Sequence, residues 1–409
     1  MRIGLLHYSA PPVVGGVESV IGHHACLMFE DGYQVSILAG RGAQTNQSIP
    51  FISLPLADSR HPEVLAVKAE LDAGKATARF DRLVAALEEV LTKHLAGLNV
   101  LIAHNVCSLN KNLSLTAALK KVCSQPGAPR LILWHHDLAW TTPRYRAELH
   151  SGYPWDLLRT DWPEALQVTV SEPRRQELAG LIGVPASRIL VVPNGVEAGK
   201  FLKLEDQTHN FLTEMNLLAG EPLLLLPVRI TPRKNIELAI RALAVLREHF
   251  PEAKLVVTGP LGPHNPANAA YFNRLLAIRS ELNLDRAAIF LAEHTQEYLS
   301  DEVIADFYRI ADALLLPSRE EGFGIPVLEA GLVGLPVFCA DIPPLRDLGE
   351  SFATYFSPDG SPAEVAALIE NRLSCESTYG LRRRVKQEYT WEHIYDKRIR
   401  PLLRYLLTL

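Results

Sequence analysis

Pro317-Ser318-Arg319-Glu320-Glu321-Gly322-Phe323-Gly324-Ile325-Pro326-Val327-Leu328-Glu329-Ala330 joins the short apolar run 313–316 to a helix-patterned segment that ends near Gly334. A buried strand, a glycine turn and a helix in that order form one step of a parallel β-α-β unit. Gly322 and Gly324 leave a bare backbone at the amino terminus of the helix. Unpaired N–H groups and the positive end of the helix dipole point outward there, which suits a phosphate or a sugar hydroxyl. Glu321 lies in the turn and Glu329 two turns further on, so two carboxylates can accept hydrogen bonds from hydroxyls at both ends of an extended ligand. Periodicity alone is equally satisfied by a glycine-rich turn and a helix with solvated acids.

The same rhythm extends in both directions. Upstream of residue 198, the runs 2–6, 34–39, 99–103, 130–134, 167–171 and 188–192 read as buried strands, with helical period in 17–30, 76–95 and 113–122. After the polar stretch 204–210 the pattern restarts, with strands expected at 223–228, 254–258, 287–291, 313–316 and 336–340 and helices at 236–249 and 268–282. Alternation of this kind predicts an α/β chain with two doubly wound, Rossmann-like domains. The boundary is expected near residue 198, just after the turn Pro193-Asn194-Gly195. Domain one would span 1–198 and be completed by a returning helix at 388–409, and domain two would span 199–387. Ligands of such sheets sit beyond the carboxyl ends of the strands, so two domains facing each other would hold a ligand in a central cleft.

A length of 409 residues fits two cores of roughly 200 residues each. The net charge of −5 argues against a nucleic-acid binder, although a local basic patch could still hold a phosphate. Five scattered cysteines without a C-x-x-C pair read as reduced thiols, and together with the absence of a signal-peptide pattern they predict a cytoplasmic protein. No apolar stretch approaches the roughly 18–20 residues of a membrane span. The segment 391–409 carries Lys397, Arg398, Arg400 and Arg404 around Pro401. It reads as a packing helix with a solvated basic face, the alternative being a helix lying on a membrane surface.

With Glu321 followed by Gly-Phe-Gly and Glu329 followed by Ala, the E-x7-E pattern resembles the donor-site signature of retaining GT-B glycosyltransferases, most closely glycosyltransferase family 4. The resemblance implies that Glu321 meets the donor sugar and Glu329 the nucleotide ribose. The backbone of Gly322, Phe323, Gly324 and Ile325 would then hold the sugar and the diphosphate.

Other elements extend the resemblance along nearly the whole chain. In Leu226-Pro227-Val228-Arg229-Ile230-Thr231-Pro232-Arg233-Lys234-Asn235, a strand ends at an Arg and a Lys opens the next helix. Read by itself this is a basic turn. Fixed cations could also stabilise charge on a departing diphosphate without a metal, and the family's Arg…Lys pair assigns that role to Arg229 and Lys234 rather than Arg233. Gly15 and Gly16, followed by Glu18, open a helix after the first strand and resemble the family's Gly-Gly-x-Glu loop, which implies that they face the donor phosphate and the acceptor. Trp134-His135-His136-Asp137 ends a strand and reads as a pair of surface histidines, an adventitious metal site, or functional groups. The resemblance aligns His136 and Asp137 with the family's His-Asp, the His being catalytic and near the donor sugar; Asp137 is expected at the acceptor, as are His104 and Asn105 from their place at the end of the preceding strand. Ser171-Glu172, Asn194-Gly195 and Trp391 also match family positions.

The departures are a loop reading Gly259-Pro260-Leu261-Gly262-Pro263 with a long helix after it, Glu197 where Asp is common, and Pro343-Pro344-Leu345-Arg346-Asp347. No Asp-x-Asp pair supports a metal-dependent GT-A fold, and no G-x-S-x-G supports a hydrolase. Gly195-x-x-x-Gly199-Lys200 is one residue short of a P-loop.

The expected activity is retaining, metal-independent transfer of a hexose, glucose or mannose, to a hydroxyl acceptor. The donor substrate would be a nucleoside diphosphate sugar, with no cofactor and no bound metal. The acceptor is a small molecule or lipid-linked, membrane contact is at most peripheral, and a homodimer stays open. A nucleotide-sugar epimerase or hydrolase on the same fold, which would draw on His135 and His136, is the alternative reading; a non-catalytic sensor is a third.

Overall fold

The computed structural model describes residues 1–261, 266–295 and 298–408. Gly262, Pro263 and Leu409 lie outside the described residues. The chain divides into two compact units, Met1–Val196 with Trp391–Leu409, and Glu197–Thr390.

The first unit contains strands β1 (Arg2–Ser9), β2 (Gln34–Arg41), β3 (Phe51–Ser53), β4 (Val100–His104), β5 (Arg130–His135), β6 (Ala165–Thr169) and β7 (Ile189–Val191). They form one parallel sheet in the order β3-β2-β1-β4-β5-β6-β7. Helices α1 (Gly16–Glu30), α2 (Pro62–Asp72), α3 (Ala78–Leu95), α4 (Leu113–Cys123) and α5 (Glu172–Ile182) connect them. Two apolar clusters, one around Leu101, Leu133 and Leu119 and one around Ile102, Ile132 and Ile21, show that both sheet faces are covered. This is why the strands read as unbroken apolar runs. β6 ends at Thr169, short of the expected 171, because the Ser171 side chain is recruited to cap α5 and accepts the N–H of Arg174 at 3.4 Å. β3 is three residues long and lies at the sheet edge, too short to carry a period.

The second unit opens with α6 (Ala198–Leu202), and α7 (Asp206–Glu214) begins within the stretch 204–210 that reads as a polar connector. The start of α7 serves Asp306, a fully buried carboxylate that accepts the backbone N–H of Glu205 at 2.8 Å and the hydroxyl of Thr208 at 2.7 Å. The sheet has strands β8 (Leu223–Leu226), β9 (Lys254–Val257), β10 (Ala288–Phe290), β11 (Ala313–Leu316), β12 (Val337–Ala340) and β13 (Thr354–Phe356). Their order, β10-β9-β8-β11-β12-β13, is the 3-2-1-4-5-6 arrangement of dinucleotide-binding folds. The helices are α8 (Ile236–Leu246), α9 (Pro266–Glu281), α10 (Asp301–Ile310), α11 (Ile325–Leu332), α12 (Pro343–Gly349), α13 (Pro362–Ser374) and α14 (Ser377–Glu388).

The terminal segment belongs to the first unit. It comprises α15 (Trp391–Ile394), a wide π-turn (Tyr395–Ile399) and α16 (Arg400–Thr408). Pro401 has no N–H for the carbonyl one turn earlier, and the wide turn immediately precedes it. The apolar face of the segment (Trp391, Ile394, Ile399, Leu403) is buried in the unit's core, and Arg400 pairs with Asp31 at 3.1 Å. No helix among the described residues is long and apolar enough to cross a membrane.

Candidate active site

In a doubly wound sheet the ligand crevice opens at the carboxyl ends of the strands where the order reverses. In the second unit that point lies between β8 and β11. The loop after β8 carries Arg229 and Lys234, and the loop after β11 carries Ser318, Glu321 and the glycines. Contacts to the backbone join the loops: the Arg319 N–H donates to the Arg233 carbonyl at 2.8 Å, and Asn235 Nδ2 donates to the Pro317 carbonyl at 3.1 Å. Asn235 is left-handed (φ 54°), a conformation that asparagine tolerates, and it turns the chain directly into α8.

The chemistry-bearing side chains meet on this frame. Lys234 Nζ donates to Glu321 Oε1 at 2.5 Å, and both side chains are only 10% exposed. The Ser318 hydroxyl donates to the same carboxylate oxygen at 2.8 Å. Arg229 is exposed and makes no ion pair among the described residues, so its guanidinium is available to an anion. Gly324 sits at φ 110°, and a Cβ there would come within 2.6 Å of Leu345 Cδ2, so both conformation and space call for glycine. A Cβ at Gly322 would meet nothing within 4 Å. The amides of Phe323 and Gly324 find no backbone acceptor among the described residues, and the side chains of Phe323 and Ile325 are exposed. This is an open, donor-rich helix start. Glu329, on α11, accepts a hydrogen bond at 2.5 Å from the hydroxyl of Tyr308, a buried residue of α10.

In the first unit the corresponding point lies between β1 and β4. Gly15 precedes α1, and a Cβ there would fall 2.0 Å from Glu18 Oε2, because the Glu18 carboxylate folds over the helix start and accepts the Ser9 hydroxyl at 2.5 Å. A carboxylate therefore already offsets the dipole beside Gly15, whereas the space at Gly16 is open. His136 Nε2 lies 3.1 Å from His104 Nδ1, and the carbonyl of His104 faces His7 Nδ1 at 2.7 Å. Asn105, left-handed at φ 56°, accepts the N–H groups of His136 (2.7 Å) and Asp137 (3.2 Å) through Oδ1. Burial lowers His136 to about 3 and His7 to about 4, so both rings are neutral at physiological pH. His136 can thus give or accept a hydrogen bond but does not act as a standing cation.

The acceptor-side expectation needs correction at two residues. His104 has no exposed surface, its ring being packed against His24, Trp134 and His136, and Asn105 is 2% exposed. Both are supports lying behind His136, and of that set only Asp137 is on the surface, with Arg174 at 4.0 Å. His135, expected beside it, is buried against Gln167 at 2.8 Å. Glu172 is engaged locally by Arg175 at 2.7 Å. Gly195 is required by Trp391, whose ring would lie 2.7 Å from a Cβ there.

Ser318, Tyr308 and His7 were given no role from the sequence, and Glu18 entered only as the last residue of the Gly-Gly-x-Glu loop. Glu18 and Ser318 had a local signal, each standing three residues from a site position. Tyr308 and His7 had none. Among the described residues, no three His, Cys, Asp or Glu side chains could hold a metal ion. A cavity of about 540 Å³ lies at the amino ends of β11 and β12, lined by Asp312, Val337 and Tyr379 and, on α11, by Val327 and Leu328.

Comparison with known proteins places these features in a family. The model of Glycosyltransferase Family 4 matches residues 14–200, and that of Glycosyl transferases group 1 matches residues 212–390. Mannosylglucosylglycerate synthase of Petrotoga mobilis is 23% identical, over 84% of this chain and 83% of its own. D-inositol 3-phosphate glycosyltransferase of Nocardia farcinica is 30% identical, over 41% of this chain and 35% of its own. Among solved structures, sucrose-phosphate synthase of Thermosynechococcus elongatus is similar over 100% of this chain and 99% of its own, with 18% identity and a TM-score of 0.39.

Proposed function

The chain belongs to the family 4 type of GT-B glycosyltransferases and is a hexosyltransferase, and from that premise we propose that it moves glucose or mannose from a nucleoside diphosphate sugar to a hydroxyl acceptor, with retention and without a metal. The observation that carries this reading is the Lys234–Glu321 pair on the two loops that also carry the open amides of 323–324 and Arg229, which makes no ion pair among the described residues. A departing diphosphate needs fixed positive charge, and a sugar needs a carboxylate held in place; this loop pair offers both.

In the proposed reaction the bond from the anomeric carbon to the diphosphate oxygen breaks, and the acceptor oxygen bonds to that carbon on the same face. The acceptor's proton passes to the leaving phosphate oxygen, giving the glycoside and a nucleoside diphosphate. Arg229 and Lys234 stabilise the charge left on the diphosphate. Glu321 and the amides orient the sugar, and Glu329 binds the ribose. His136 contributes a neutral hydrogen-bonding ring. The second domain takes the donor and the first the acceptor, for which a small soluble polyol fits the charge balance at least as well as a lipid. A nucleotide-sugar donor and scattered thiols fit a cytoplasmic enzyme.

A thermal-shift panel of UDP-glucose, GDP-mannose, ADP-glucose and UDP-N-acetylglucosamine tests donor choice, since a ligand of the folded state raises the melting temperature. With the donor known, the anomeric coupling constant of the product is expected to match that of the donor, and EDTA is expected to leave the rate unchanged. An inverted product, or loss of activity in EDTA, overturns the retaining, metal-independent mechanism. Rapid nucleoside diphosphate release or epimerisation without acceptor would favour the hydrolase or epimerase reading instead.

A further inference from the structure

We propose that Tyr308 is a positioning residue for the donor, holding the Glu329 carboxylate by one oxygen so that the other is presented to the ribose hydroxyls. The inference rests on the reading of Glu329 as the ribose contact.

Tyr308 is 3% exposed, and its hydroxyl donates to Glu329 Oε2 at 2.5 Å. The neighbouring Phe307 and Ile310 are also buried, which anchors this end of α10 in the core. Glu329 Oε1 has no hydrogen-bond partner among the described residues. A carboxylate accepts through both oxygens, so a bond to one leaves the other free for a ligand. An unheld Glu on a helix loses up to about 2 kcal/mol of rotamer freedom when a ligand fixes it, and a bond already made in the free protein removes part of that cost. A buried tyrosine suits this task because its ring turns about only two bonds and is locked by packing. Burial and the adjacent carboxylate both push the ionisation of the Tyr308 hydroxyl well above its ordinary range. It therefore stays a donor at every working pH, and its bond to an ionised acceptor is of the strong, charge-assisted kind. The opposite possibility is that the hydroxyl merely occupies the carboxylate in the empty site and is displaced by ribose. In that case its removal would tighten binding.

Tyr308→Phe keeps the ring and removes only the donor. The test measures calorimetric binding of UDP and GDP and of their 2′-deoxy and 3′-deoxy forms to wild-type enzyme and to this variant, with Glu329→Gln as a control. For the nucleotide the wild type prefers, the variant is expected to bind about fivefold to tenfold more weakly. It is expected to bind the deoxy form lacking the contacted hydroxyl as the wild type does, and to raise the donor KM with kcat within about twofold. Equal weakening toward ribo and deoxy forms would mark Tyr308 as merely structural. Unchanged or tighter ribonucleotide binding would show it to be a competitor or a bystander. Absence of ribo/deoxy discrimination in the wild type would remove the ribose role of Glu329 itself, an outcome distinct from both.

Discussion

Lys234 and Glu321 stand 87 residues apart in the chain, yet Nζ and Oε1 lie 2.5 Å from each other. What brings them together is strand order: β8 and β11 are adjacent in the sheet although two strands and three helices separate them in sequence. The loops that leave their carboxyl ends have to share one crevice.

That pair makes Lys234→Ala more than a loss of turnover. Removing the ammonium leaves the Glu321 charge 10% exposed, with only the Ser318 hydroxyl to compensate it. A broken ion pair of this kind costs about 3 kcal/mol of stability, and loss of a cation from a departing diphosphate costs roughly 10²–10³ in kcat. Lys234→Ala is expected to show both effects. Adding Glu321→Gln should restore much of the melting temperature and none of the turnover. Calorimetry and a steady-state assay on the two variants check this, and a double variant melting no higher than the single one would mean that the stranded Glu321 charge is not what destabilises Lys234→Ala.

Gly324→Ala is expected to destabilise the second domain by about 1–3 kcal/mol, since a left-handed alanine is strained and its Cβ would fall 2.6 Å from Leu345 Cδ2. Donor affinity should fall with it, because the shift acts on the loop that presents the amides. Gly322→Ala, which meets open space, should melt as the wild type does. Chemical denaturation of the two variants makes the comparison.

The histidines of the first domain predict acid sensitivity with a definite sign. Burial holds His7 and His135 at about 4 and His24 and His136 at about 3, against an ordinary 6.5. Between those values the unfolded chain binds protons that the folded chain refuses. Stability is thus complete above pH 6.5 and falls as the pH drops toward 4, by up to about 1.4 kcal/mol per pH unit for each histidine. Calorimetric melts from pH 8 to 5 should show the decline below 6.5, and His24→Leu should reduce its slope by about one proton. A melting temperature constant from pH 7 to 5 would count against it.

Trp391→Ala tests the returning segment. The indole is 4% exposed, stacks on His23 with centroids 4.9 Å apart, and crowds Gly195. Its loss is expected to cost about 3–5 kcal/mol in the first domain. The melting of the first domain should drop while that of the second stays, which limited proteolysis at rising temperature can resolve.

Much of this was legible in the sequence. Parallel strands covered on both faces are apolar throughout, so runs such as 313–316 announced themselves, and of the two glycines in the turn after that run Gly324 holds a left-handed position that only glycine fits. The exceptions were elements whose side chains serve something distant. Residues 204–210 read as polar connector although the stretch starts a helix whose Thr208 hydroxyl and Glu205 N–H satisfy Asp306, about a hundred residues away in the chain, and β3 was too short for a period to show.

By itself the sequence determined the alternation of strands and helices, the loops that carry chemistry, and the residue types in them, since these depend on local period and turn geometry. Only the tertiary structure decided which residues act together. It set Ser318 and Lys234 on Glu321, gave Glu329 its tyrosine, and withdrew His104 and Asn105 into the interior as supports for His136. The physical reason is that hydrogen bonds and burial belong to neighbours in space, and a parallel sheet makes neighbours of residues that no local pattern connects.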